Sequence, residues 1–296
     1  MSRSRSSRIP LLVAAVATAL LQAACGGGGD GVGSGGTGII SGAVVKGPAA
    51  NATVSAYALT SGQAGAALGS ATTDASGNFT LPIGAYSGAL MLQASAGTFR
   101  DEASGALMTM PSGDVMTAVL PSGASVSGVQ VTPVTSMAQT RAQQMAGGMT
   151  DVNIAAANAA LGTYFSIRDI LHVAPINPLV AGSAARADTD SRNYGMTLAA
   201  MSQYARSLDV ANTAALVTSM MSDASDGRMD GKRGPVPISM QMGGMTGSAM
   251  MAATAGTSGL AKGMADFVSS PVNVSGLTTT DVAPLVQKLS GSNGQF

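Results

Sequence analysis

Between residue 39 and about residue 131 the chain alternates short apolar runs with Gly, Pro, Asn and Asp. The runs at 39–45, 52–59, 78–83, 89–94 and 115–120 predict β-strands. In 78–83, Phe79, Leu81 and Ile83 fall on one face at period two, and Pro82 predicts an edge position because it cannot donate to a ladder. The preceding 73–77 predicts a tight turn: the Asp74 side chain can bond backbone two residues on, and Gly77 suits a left-handed conformation.

Beyond residue 131 the apolar period becomes helical. Thr132 and Pro133 offer an N-cap and a first helical position, followed by Val134, Met137, Ala138 and Met145. Asp151 predicts the cap of a second helix carrying Ile154, Ala157, Leu161 and Phe165. A third from about Arg192 carries Tyr194, Leu198, Met201, Ala205 and Leu208, and a fourth from Asp209 carries Val210, Ala214, Val217 and Met221. Thr280 predicts the cap of a terminal helix with Val282, Leu285, Val286 and Leu289. Such faces can share one core. Residues 231–263 are rich in Gly and Met with weak periodicity, and predict a flexible segment without a definite element.

The amino terminus has another logic. Arg3, Arg5 and Arg8 precede an apolar run at 9–21 and then Gln22, Ala23, Ala24 and Cys25, which has the layout of a secretory signal too short to span a bilayer permanently. Ala23-Ala24-Cys25 resembles the lipobox of bacterial lipoproteins, with Gln22 and Leu21 ahead of it. The resemblance implies a signal peptide at 1–24 and acylation of Cys25, the only cysteine in the chain. Gly26 after the cysteine, by lipoprotein sorting analogy, implies the outer membrane, on its periplasmic or its outward side. Residues 25–38 read as a Gly-rich tether with a root-mean-square reach of roughly 20 Å. Gly31, Gly33 and Gly36 fit the dinucleotide fingerprint in spacing alone, since no strand precedes them and no helix follows.

Gly42-Ala43-Val44-Val45-Lys46-Gly47-Pro48, Ala52-Thr53-Val54 and Thr73-Asp74-Ala75-Ser76-Gly77-Asn78-Phe79-Thr80-Leu81 resemble the carboxypeptidase-regulatory-like, transthyretin-like β-sandwich of bacterial surface proteins. The 97–105 segment extends the resemblance to proteobacterial lipoproteins in which helices follow that sandwich. It implies an α+β multidomain chain: an Ig- or transthyretin-like sandwich at 39–130 and an α-helical domain at 131–296. It also implies a structural or binding role, and no catalytic residue carries over from it.

Charge and composition narrow the chemistry. Without the three signal arginines the chain has twelve basic against fifteen acidic residues; aromatics are 3% and tryptophan is absent. Neither a phosphate-binding stripe nor a base-stacking platform can be assembled, which argues against nucleic acid. His172 is the only histidine, and no Gly-x-Ser-x-Gly elbow accompanies it, so a Ser-His-Asp triad has no support. Zinc lacks ligands for the same reason. Asp223, Asp226 and Asp230 form an acidic stretch with turn glycines that is out of register for an EF-hand and reads as a helix-ending turn rather than a calcium loop. Met240, Met242, Met245, Met250 and Met251 raise a copper-binding alternative through soft thioether sulfur. A hydrolytic alternative would pair Asp101 or Glu102 with Asp114 as two carboxylates across a cleft. Arg100, Asp101 and Glu102 otherwise read as a solvated loop. The composite expectation is a lipid-anchored, non-enzymatic envelope module for a protein or glycan ligand, with no cofactor.

Overall fold

The computed structural model describes residues 38–111, 113–123, 125–210, 213–241 and 248–296. The signal at 1–24, Cys25, the tether up to residue 37, Met242 and Met245 lie outside them. The architecture is mixed α+β, with strands first and helices after.

Three strands, β1 (Gly38–Val44), β4 (Asn78–Gly84) and β9 (Val126–Val131), form a sheet in the order β4-β1-β9. The β1–β4 pair is antiparallel and the β1–β9 pair parallel. A second sheet has the order β3-β2-β5-β8, with β2 (Thr53–Thr60), β3 (Gln63–Thr72), β5 (Leu90–Ser95) and β8 (Val115–Leu120), all neighbours antiparallel. Ile40, Leu81 and Val129 from the first sheet and Val54, Leu92 and Ala118 from the second are fully buried in one shared core. β4 alternates strictly, with Phe79, Leu81 and Ile83 inward and Asn78, Thr80 and Pro82 exposed. Its edge position removes the demand for a ladder hydrogen bond from Pro82. In the turn before it, Asp74 Oδ1 accepts from the N–H of Ser76 and of Asn78, and Gly77 takes φ +81°.

Two short strands, β6 (Thr98–Arg100) and β7 (Leu107–Thr109), make a hairpin whose turn carries Asp101 and Glu102. β3, β6, β7 and β9 were not legible as apolar runs: β3 is a largely exposed stretch of small residues, and β6 and β7 are three residues each.

The helices are α1 (Pro133–Gln144), α2 (Asp151–Phe165), α3 (Thr189–Ser207), α4 (Thr213–Ala224), α5 (Leu260–Val268) and α6 (Thr279–Gly291). α1 starts as its sequence predicts, with Thr132 as N-cap in a capping box with Thr135 and Pro133 in the first turn. Four other starts differ from expectation. α2 is capped by Thr150, whose hydroxyl accepts from Asn153 N–H, so Asp151 is the first helical residue and not the cap. α3 begins three residues before Arg192 because Asp188 accepts from Ser191 N–H. α6 begins at Thr279, after Thr278, whose N–H and hydroxyl both donate to Asp281. α4 does not begin at Asp209, which takes φ +52° and ends the preceding segment.

Met91 and Val119, on the side of β5 and β8 turned away from the sheet–sheet core, are buried with the helices. β8 is therefore buried on both faces, which is why 115–120 reads as a continuous apolar run rather than an alternating one. Within 231–263 the described residues form two hairpins, β10 (Lys232–Arg233) with β11 (Val236–Pro237) and β12 (Ser239–Gln241) with β13 (Ser248–Met250). A π-helical turn at Ala255–Gly259 and the start of α5 follow. No described helix is long and apolar enough to cross a membrane.

Candidate functional site

The outward face of the β4-β1-β9 sheet floors a cleft of about 480 Å³. Antiparallel register places Ser41 opposite Thr80 and Ala43 opposite Asn78 on this face, because Ile40, Leu81 and Phe79 take the inward positions. The facing wall is Pro175 and Ile176, in the loop between α2 and α3, with Leu198 of α3 behind it. The floor thus offers hydroxyl and amide groups, and the wall is apolar apart from Asn177.

Among the described residues one ionisable group reaches the cleft, Glu102. It belongs to a buried network that joins the strand segments to α3. Lys46, four per cent exposed and just past the end of β1, donates from Nζ to Glu102 Oε2 and to Ser202 Oγ; Glu102 and Ser202 are two and one per cent exposed. Ser202 in turn donates to Glu102 Oε2 at 2.6 Å, and Gly47 N–H donates to Glu102 Oε1 at 2.9 Å. Gly47 is at φ +61°, and a Cβ there would sit 2.3 Å from the Arg100 carbonyl oxygen, so only glycine lets this N–H reach the carboxylate. The Lys46 ammonium also lies 5.9 Å from the centre of the Phe99 ring.

Beside it, Asp101 Oδ1 accepts from Ala103 N–H, Ser104 N–H and Ser104 Oγ, while Oδ2 accepts from Thr213 at the start of α4. Burial works to raise the Asp101 carboxyl, but the Lys46 charge and the hydrogen bonds from Thr213 and Ser104 outweigh it and hold it below the usual carboxylate value. Arg206 of α3 closes the assembly by donating to Ala103 O at 2.7 Å. The solvated-loop expectation for 100–102 therefore fails for two of its three residues. Arg100 is exposed and bonds Gly105 O, whereas Asp101 and Glu102 turn inward because cations and hydroxyls from elements distant in sequence neutralise them there. A glutamate that follows Arg100 and Asp101 carries no local signal of those distant partners.

The remaining candidates disperse. His172 is exposed, with Nδ1 2.8 Å from Asp169 Oδ2, and does not line the cleft. Asp114 accepts from Thr218 Oγ1 at 3.4 Å and borders a separate small depression beside Lys46. Asp223 is fully buried at the end of α4, where its Oδ1 accepts from the N–H groups of Asp230, Gly231 and Lys232. Asp226 accepts from Arg228 and Gly234 N–H, and Asp230 from Lys232 N–H. These oxygens organise a turn, and among the described residues no three His, Cys, Asp or Glu side chains are grouped to hold a metal ion. Desolvation pushes the Asp223 carboxyl up to about 7 against its three N–H donors, and its Oδ2 has no hydrogen-bond partner among the described residues. Met240 and Met251 are packed in the helical core. No family model, curated protein or solved structure matches the chain.

Proposed function

We propose that the chain is a lipid-anchored, non-enzymatic binding module of the bacterial outer membrane. In this reading its strands form an Ig- or transthyretin-like sandwich, its helices buttress that sandwich, Cys25 carries the acyl anchor, and the cleft takes the sugar units of an envelope glycan. One observation carries it. The cleft's only ionisable group among the described residues, Glu102, already has both oxygens engaged by Lys46, Ser202 and Gly47 N–H. A general acid or base must exchange its proton with substrate, and a carboxylate saturated by internal donors is poorly placed to do so. What the cleft does present, Ser41, Asn78 and Thr80 against Pro175 and Ile176, suits a hydroxyl-rich ligand with apolar faces.

Cosedimentation of the purified chain with isolated peptidoglycan sacculi tests this. The chain is expected to pellet with sacculi, and Thr80→Trp, which fills the cleft from an exposed strand position, to weaken that association about tenfold or more. His172→Gln is expected to leave it unchanged. Cleavage of the sacculi by the chain, lost in His172→Gln, would overturn the reading.

A further inference from the structure

We propose that Lys46 and Glu102 condense into an intramolecular amide that staples the segment after β1 to the turn after β6. The inference stands on the buried network and is independent of what occupies the cleft.

The arrangement supplies each element that such a bond requires. The amine and the carboxyl are in hydrogen-bonded contact and almost wholly removed from water. Holding two reactants in this way corresponds to effective concentrations on the order of 10⁵ M or more. Gly47 N–H is aimed at Oε1, where negative charge develops once a nucleophile adds to the carboxyl carbon. Ser202 Oγ accepts from Nζ and donates to Oε2, and so forms a proton path from the amine to the departing oxygen. The Asp101 carboxylate, under the Lys46 charge, stabilises the positive charge that returns to Nζ in the tetrahedral adduct once the amine has added to the carboxyl carbon.

The step balances without a co-reactant. A proton passes from the Nζ ammonium through Ser202 to Oε2, leaving a neutral amine and a neutral carboxylic acid. The Nζ lone pair then attacks Cδ, and the carbonyl electron pair moves to Oε1 beside Gly47 N–H. A second Nζ proton follows the same path as the adduct collapses. The Cδ–Oε2 bond breaks, Oε2 leaves as water, and one Nζ–Cδ bond has formed. The product replaces two buried charges by one neutral amide, and so removes the desolvation cost that an ion pair carries in this position.

Mass-spectrometric peptide mapping of the full chain, purified folded and digested after denaturation, tests the proposal. The expected product is a branched peptide joining the Lys46 and Glu102 segments, lighter by one water than the two linear peptides together. Lys46→Arg keeps a cation opposite Glu102 and should give only linear peptides with unchanged circular dichroism. Recovery of both segments as linear peptides from the folded wild-type chain would overturn it. So would a water loss that persists in Lys46→Arg, because that loss would then sit elsewhere, as in a succinimide at Asp226-Gly227. The wild-type map decides the matter even if Lys46→Arg fails to fold.

Discussion

Asp223 shows how a single side chain can set the pH response of a fold. Its carboxyl is pushed from the ordinary 3.8 to about 7, first by desolvation, with three backbone N–H donors opposing and the Asp230 charge adding to the rise. Because the folded state holds this proton more tightly than the unfolded chain, the contribution to stability is fully present below about pH 4 and is lost as pH rises through about 7. Asp223→Asn keeps an oxygen for the three donors and cannot ionise. Between about pH 5 and about pH 8 its melting temperature is expected to rise relative to wild type, as the wild-type chain alone loses stability. Equal pH slopes for the two proteins would show that Asp223 ionises freely in the fold.

Lys46 poses the complementary case. Relative to Lys46→Arg, which keeps a cation opposite Glu102, truncation in Lys46→Met leaves Glu102 buried with neutral donors only, and is expected to cost about 3–5 kcal/mol in denaturant unfolding. Lys46→Met/Glu102→Leu removes the stranded charge as well and should recover much of that loss. The comparison separates the role of the pair from the bulk of either side chain.

At the scale of elements, the α3–α5 contact turns on Gly263. A Cβ there would lie 2.8 Å from the Ala200 carbonyl oxygen and 3.3 Å from the Tyr204 nitrogen, both backbone atoms that cannot swing aside. On an exposed helix Gly→Ala stabilises by about 1 kcal/mol. At this interface the substitution is expected to lower the melting temperature instead, and Gly263→Val to lower it further, with a loss of stability of about 1–3 kcal/mol. A rise for Gly263→Ala would mean that the helices separate without cost.

The same contact explains what the sequence could and could not reveal. Phe79, Leu81 and Ile83 on β4, and the Thr132-Pro133 start of α1, announce themselves because their signals are local: a period of two, a cap, an N1 proline. α5 hid in a Gly- and Met-rich stretch because its glycine is selected by a neighbouring helix and not by helix propensity. The cap of α3 at Asp188 and the break at Asp209 are set by single backbone choices that periodicity does not register. The buried network was the least legible feature. Lys46, Glu102 and Ser202 are separated by 56 to 156 positions and meet only once the hairpin of β6 and β7 is laid beside α3.

For the whole molecule, the decisive surface is the side of β5 and β8 turned toward the helices. Met91 and Val119 are buried there with helical residues, and Ser136 of α1 donates to Thr117 O while accepting from Thr117 N–H. Asp101 binds Thr213, and Arg206 binds Ala103 O, so the hairpin turn is tied to α3 and α4 as well. Taking the helices away would expose this apolar strand surface together with Lys46, Asp101 and Glu102, which the folded chain keeps dry. Burial shared in this way makes unfolding cooperative across the junction at residues 131–133. Thermal unfolding followed by far-ultraviolet circular dichroism and by tyrosine fluorescence is therefore expected to give coincident single transitions, with Tyr194 in the helical core and Tyr57 on β2 reporting the same midpoint. A fragment of residues 39–130 should bind a hydrophobic dye and aggregate. Two resolved transitions in the full chain, or a monomeric and dye-silent fragment, would show that the strands fold without their helical cover.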